Sequence, residues 1–141
     1  SYPPELFDHP WMAPTYGCAD YIVRDLYREE NGWWDRNPTT LHPSPPGQAA
    51  FEILSALGDP ATVVNRAKEL AQGGRTQLAL HVIDLVALAP GDDPVVAEAR
   101  AVKAELCRVR SEEVEPFVSK SCYRSSARLL DEGHTSWQDL P

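Results

Sequence analysis

Residues 59–95 read DPATVVNRAKELAQGGRTQLALHVIDLVALAPGDDPV, and this stretch decides the fold. Asp59-Pro60 opens it with a side-chain cap followed by proline at the first helical position, where a missing N–H costs nothing. Val63, Ala67, Leu70 and Ala71 then recur along one stripe, and Gly73-Gly74 ends the helix. The next helix runs from about Thr76 to Leu88. Its apolar set, Leu78, Ala79, Val82, Ile83, Leu85, Val86 and Ala89, wraps more than one face, as in a helix held between two neighbours. Pro90-Gly91-Asp92 is a turn, and Asp93-Pro94 repeats the cap-plus-proline start.

Working outward, helix signals continue on both sides. Asp93-Pro94 starts a helix to about Arg110, with Val95, Ala99, Val102 and Leu106 on one side. A last helix is expected from about Glu115 to Asp131, with Pro116 in its first turn, Gly133 past its end, and Phe117, Cys122, Tyr123, Ala127 and Leu130 as apolar members. Upstream, a helix from about Gly47 to Leu57 stops at Gly58, and Pro43, Pro45 and Pro46 keep the segment before it extended. The first helix is expected from Thr15, as its N-cap, to Glu30, with Tyr16, Ala19, Ile22, Val23, Leu26 and Tyr27 at helical spacing and Asn31-Gly32 as its stop. No segment alternates with period two over six or more residues. The expected fold is therefore all-α: about six helices in stacked antiparallel hairpins. The part from Pro60 to Arg110 looks like tetratricopeptide-type hairpins, without a repeat consensus at the period of about 34 residues. The expected organisation is a linker or extended segment at 1–14, a helical body at 15–133 and a tail at 134–141.

Composition narrows the function. The chain has 141 residues, enough for one domain with a core of its own, and 43% of them are hydrophobic. A net charge of −8 argues against nucleic acid and against an anionic membrane surface, since both select basic patches. No run of roughly 20 apolar residues is available to span a membrane. Ser1 to Pro14 is proline-rich and lacks the basic and apolar regions of a signal peptide. Cys18, Cys107 and Cys122 lie far apart, with no C-x-x-C, and are read as buried small hydrophobes.

No complete catalytic constellation emerges. His9, His42, His81 and His134 form no short ligand pair, and His81, inside a helix, reads as a packed or hydrogen-bonded side chain. Glu29-Glu30, Asp92-Asp93 and Glu112-Glu113 are adjacent carboxylates, which point apart on a helix and read as solvated helix ends. Glu29-Glu30 conflicts with the macrodipole at a helix C-terminus and calls for a local arginine or a functional contact. Ser119, Ser121, Ser125 and Ser126 lack a nucleophile elbow, and Gly73-Gly74 lacks the lysine and hydroxyl residue of a phosphate loop. The distinctive feature is Trp33-Trp34, in a turn that cannot be regular helix across Asn37-Pro38. The pair either plugs the hairpin core or serves as an interface anchor or pocket wall.

Tyr16-Gly17, Arg24, Tyr27, Gly32-Trp33-Trp34-Asp35, Asn37-Pro38 and Leu41 together resemble the dimerisation domain of bacterial alkyl sulfatases. Gly58, Gly73, Ala79, Ala89-Pro90, Ala99-Arg100, Tyr123, Ala127 and Leu130 extend the resemblance to Gly133. It implies a helical homodimerisation domain that follows a metallo-β-lactamase-fold catalytic domain. The zinc ions belong to that domain, whose ligands lie outside this chain, so no cofactor is expected here. In the family a His-Asn pair approaches the sulfate ester, and an aromatic after the turn glycine lines the pocket. This chain has Tyr21 and Ile22 at the His-Asn positions, Trp33 where a tyrosine is common, and Arg36 where a glycine follows the aspartate. A tyrosine, with a pKa near 10, donates a proton less readily than a histidine near neutral pH.

The sequence thus points to an assembly domain of a larger hydrolase. Tyr21, Arg24, Tyr27, Trp33, Trp34 and Arg36 are the candidates to face the substrate pocket or an interface. Arg24 and Arg36 have the chemistry to hold an anion. The alternatives are a helical-hairpin module that binds a partner protein and, more remotely, a self-contained enzyme. The compartment is left open.

Overall fold

Two Asp-Pro pairs set the frame of the body. The computed structural model describes residues 15–135. The readings that fall on 1–14 and 136–141, including the linker and most of the tail, lie outside the described residues. Asp59 Oδ1 accepts the Ala61 N–H at 3.0 Å and Asp93 Oδ1 accepts the Val95 N–H at 2.9 Å, each with proline at the start of the helix. The described residues form seven helices and no strand: α1 Ala19–Asn31, α2 Pro38–Leu41, α3 Pro46–Ala56, α4 Pro60–Gln72, α5 Thr76–Ala87, α6 Pro94–Glu113 and α7 Phe117–Asp131. The expected six are all present. The seventh, α2, is one turn capped by Asn37, whose Oδ1 accepts the Thr39 N–H at 3.2 Å.

The helices pack in chain order. α5 lies against both α4 and α6, α6 against α7, and α3 touches α5. The core is Val64, Ala67 and Leu70 of α4, Ala79, Ile83 and Val86 of α5, Val96, Ala99 and Leu106 of α6, and Ala127 of α7. Ala67, Ala79 and Ala99 are fully buried. A methyl group at these crossings lets the backbones approach closely and leaves no bulk to be accommodated. Two helix ends close in the same way. Arg75 N–H donates to Leu70 O at 2.9 Å with Gly74 at φ +70, and His134 N–H donates to Leu129 O at 2.9 Å with Gly133 at φ +90. Both are left-handed caps that an L side chain would strain.

Several side chains depart from expectation. Leu78 and Leu85, expected inside, lie on the outer face of α5 and are exposed, while Leu80 and Ala87 take the buried places. α4, α6 and α3 leave one face of α5 uncovered, so part of its apolar surface stays outside. In α7, Leu129 is buried in place of Leu130, and Phe117 and Cys122 are exposed. Of the three free cysteines, Cys107 alone is buried, and that burial raises its thiol pKa. α6 continues to Glu113, one turn past the expected end.

Thr15 does not cap the first helix. Its carbonyl accepts the Phe117 N–H at 2.7 Å, and the Tyr16 carbonyl accepts the Val118 N–H at 3.1 Å. α7 has no side-chain cap at Pro116, so the 15–16 segment satisfies its orphan amides instead. α1 therefore begins late, at Ala19, after an extended Cys18.

One side chain locks the α5–α6 turn. Arg100 donates to Ala87 O at 3.3 Å, Ala89 O at 2.6 Å and Gly91 O at 3.1 Å. Truncation strands carbonyls beside the fully buried Ala89. Arg100→Ala is expected to lower unfolding free energy by about 2–3 kcal/mol in urea titrations, with Arg100→Lys recovering less than half, because an ammonium cannot span three carbonyls. A loss below about 0.5 kcal/mol for the alanine variant would show that water replaces the clamp.

Candidate functional site

The candidate residues fall on α1 and on the turn that follows it. α1 forms because Ala19, Ile22, Val23, Leu26 and Tyr27 recur at helical spacing without a proline or glycine until Gly32. Gly32 stops it at φ +82 and ψ 178, a conformation open to glycine, with its N–H on Arg28 O at 2.8 Å. Although strongly amphipathic, α1 buries none of its residues. Ile22, Val23, Leu26 and Tyr27 are 48%, 60%, 56% and 60% exposed, and no other helix packs along them. Glu29 and Glu30 are exposed and pair with no cation among the described residues, so of the two alternatives, a local arginine or a functional contact, the first is not seen.

The turn organises itself around Asp35. Its Oδ1 accepts the Asn37 N–H at 2.9 Å and the Thr40 hydroxyl. Trp34 Nε1 donates to Asn37 O at 2.9 Å. The Arg36 guanidinium lies 5.9 Å from the Trp34 ring centroid, and Arg36 itself sits at φ +71, the left-handed region that favours glycine. The Thr40 hydroxyl and the Asn37 N–H stabilise the carboxylate and hold the Asp35 pKa below its ordinary value.

These contacts sort the six candidates. Trp34 is half-buried within its own turn, whereas Trp33 is 70% exposed. Neither plugs the hairpin core, which corrects that reading of the pair. Trp34 and Arg36 are joined directly. Arg24, Tyr27 and Arg36 are exposed. Tyr21 is half-buried, and its hydroxyl is buried beside Gly17, where a Cβ would meet it at 3.5 Å. His81 is exposed, and its Nε2 lies 3.5 Å from Gln77 Nε2, so of the two readings, packed or hydrogen-bonded, it takes the second. Among the described residues no three His, Cys, Asp or Glu side chains gather to hold a metal.

Sequence reasoning missed two features. Tyr16 stacks on Phe117 with ring centroids 6.1 Å apart, and both rings are largely exposed. An open groove of about 830 Å³ lies along α3, lined by Pro45, Gln48, Ala49, Phe51 and Glu52 and closed at one side by Pro90. The prolines before α3 were legible as extended chain, but the approach of Pro90 to them is a tertiary contact that no local pattern encodes.

A family model described as alkyl sulfatase dimerisation matches residues 1–133. The chain belongs to the alkyl sulfatase dimerisation family. It is 26% identical over 131 residues to the alkyl/aryl-sulfatase BDS1 of Saccharomyces cerevisiae, covering 92% of this chain and 20% of that protein. It is also 26% identical over 131 residues to the (R)-specific secondary-alkylsulfatase of a Pseudomonas species, covering 92% of this chain and 19% of that protein. The solved structure of the stereoselective inverting sec-alkylsulfatase Pisa1 from a Pseudomonas species superposes with a TM-score of 0.77 at 25% identity, over 94% of this chain and 21% of that one. The chain spans about one fifth of the length of the relatives it matches. The yeast relative shows that this similarity is not confined to bacteria.

In this chain the Asp35 carboxyl has a lowered pKa, which sets the pH dependence of the turn. Its folded pKa is below the unfolded one, so its contribution is complete above the ordinary aspartate value and is lost as pH falls through the lowered value. Thr40→Val removes the largest cause. NMR titration of the Asp35 carboxyl is expected to show its pKa return upward in that variant, with the Trp34 indole N–H resonance becoming sensitive to pH in the same range. An unchanged Asp35 pKa would mean that Thr40 does not hold the carboxylate.

Proposed function

We propose that this chain is the homodimerisation domain of a larger zinc-dependent sulfuric ester hydrolase. The carrying observation is α1: an amphipathic helix that buries none of its residues in its own chain, within a family described as alkyl sulfatase dimerisation. Covering four half-exposed apolar side chains in each copy contributes on the order of 1 kcal/mol apiece toward association. The partner in this reading is a second copy, bound through Ile22, Val23, Leu26 and Tyr27.

The same reading divides the labour. Residues 1–14 connect the catalytic domain to the helical body at 15–133, and 134–141 form the tail. In this reading the zinc ions take their ligands from the metallo-β-lactamase-fold domain. The turn faces that domain: Asp35 and Trp34 hold it in shape, and Trp33 and Arg36 are its outward side chains. Arg24, on the polar side of α1, is a second cation near that face. Tyr21 and Ile22 replace the His-Asn pair, and the Tyr21 hydroxyl turns toward Gly17. This chain therefore offers no imidazole at that point.

Sedimentation equilibrium tests the reading. The chain is expected to be dimeric at micromolar concentration. Ile22→Asp with Leu26→Asp is expected to weaken dimerisation at least about 100-fold while circular dichroism stays helical, since both sites are exposed in the monomer. A monomer at high micromolar concentration would contradict the reading, as would stoichiometric zinc bound by this chain alone.

A further inference from the structure

The last turn of α1 ends in a chemically reactive dipeptide. Of the chain's three asparagines, Asn31 alone precedes a glycine. Asn37 precedes Pro38, whose nitrogen carries no hydrogen, and Asn65 precedes Arg66 inside α4. An asparagine side-chain amide is open to attack by the backbone nitrogen of the next residue, and glycine obstructs that attack least because it has no Cβ. Asn31 and Gly32 are both exposed, and a Cβ built on Gly32 would meet nothing within 4 Å. Water and base therefore have free access to the pair.

An intact α1 holds the pair inert. The Gly32 N–H, which has to lose its proton, donates to Arg28 O at 2.8 Å. Asn31 Nδ2, the leaving nitrogen, donates to Tyr27 O at 3.0 Å. Helical ψ at Asn31 also keeps the Gly32 nitrogen out of line with Asn31 Cγ. All three restraints belong to one helical turn, and that turn is weakly held. α1 buries none of its residues. Glu29 and Glu30 place two negative charges at the end of the helix where the macrodipole is itself negative. Opening a turn with so little tertiary support costs little.

We propose that Asn31-Gly32 is a deamidation site gated by the last turn of α1, and that its conversion loosens α1 irreversibly. When the turn opens, base removes the Gly32 N–H proton. The nitrogen lone pair forms a bond to Asn31 Cγ, and the Cγ–Nδ2 bond breaks. The side-chain nitrogen takes a proton from water and leaves as ammonia. The five-membered succinimide left behind takes up one water, which opens it to aspartate or isoaspartate at position 31. One water enters, one ammonia leaves, and nothing is oxidised or reduced. The product places a third carboxylate in the turn and has no Nδ2 to donate to Tyr27 O. Isoaspartate also adds a methylene to the main chain immediately before Trp33, Trp34 and Asp35. The opened turn does not close as it did before.

Mass spectrometry of the tryptic peptide carrying residue 31 follows the exchange of NH2 for OH with time in the whole chain at mildly alkaline pH. Asn37 and Asn65 serve as references in the same digest. Asn31 is expected to convert while both references stay intact. The folded chain is expected to convert at least about tenfold more slowly than the chain unfolded in guanidinium. Arg28→Gly keeps the accepting carbonyl but weakens the turn, and it is expected to speed conversion of the folded chain roughly fivefold without speeding that of the unfolded chain. Hydrogen exchange of Asn31→Asp, which carries the charge of the product, is expected to show less protection at residues 29–32 and unchanged protection around Ile83. A folded chain that converts as fast as the unfolded one overturns the gate, as does an Arg28→Gly variant whose folded rate does not rise. An Asn31 that stays intact in the folded chain after many half-lives of the unfolded one overturns the site. An Asn31→Asp variant with wild-type protection overturns the loosening.

Discussion

The structure depends on the burial of α5 from two sides. Ala79, Ile83 and Val86 are inaccessible to solvent, and they are covered by α4 on one flank and α6 on the other. Everything else is arranged to keep that sandwich closed. Alanines at the crossings set the spacing, Arg100 ties down the turn between α5 and α6, and α7 seals the far side of α6. Once α4 to α7 have covered one another, neither α1 nor α2 contributes a residue to the core. Among the described residues no other helix packs along the apolar side of α1.

That division links fold to function. A helix that is strongly amphipathic and unburied is unstable in isolation at this length, so its stripe has to be covered by something. The chain matches about one fifth of each relative, and its family is defined by dimerisation. In the proposed reading the second copy covers the stripe, and the turn beyond it meets the rest of the larger protein. Arg36 is telling here. A left-handed arginine costs conformational energy that a glycine would not, and the Trp34 ring beneath its guanidinium recovers part of it. A tight turn that keeps an arginine in that conformation holds the side chain in one place.

Much of this was legible in the sequence, for local reasons. Asp59-Pro60 and Asp93-Pro94 encode their helix starts through caps and a fixed φ, and Gly32, Gly74 and Gly133 encode stops through positive φ. What failed was non-local. Thr15 carries the signature of an N-cap, yet its carbonyl serves a helix a hundred residues away, a partner that no window along the chain contains. Leu78 and Leu85 look like core, yet they lie on the face of α5 that no neighbouring helix covers. The candidate site was legible as residues but not as geometry. Periodicity put Tyr21 and Tyr27 on one helix, but not the Tyr21 hydroxyl against Gly17. The groove under Phe51 was not legible at all, because it is made by Pro90 of a distant turn.

The central claim is that α1 is ordered by a second copy while α4 to α7 fold on their own. Hydrogen–deuterium exchange at a series of protein concentrations reads this directly. Protection of the amides of residues 23–31 is expected to fall steeply on dilution from high micromolar to nanomolar, while the amides around Ile83 and Val86 keep theirs at every concentration. Protection of α1 that is the same at all concentrations would show that its own chain covers it, and would contradict the account.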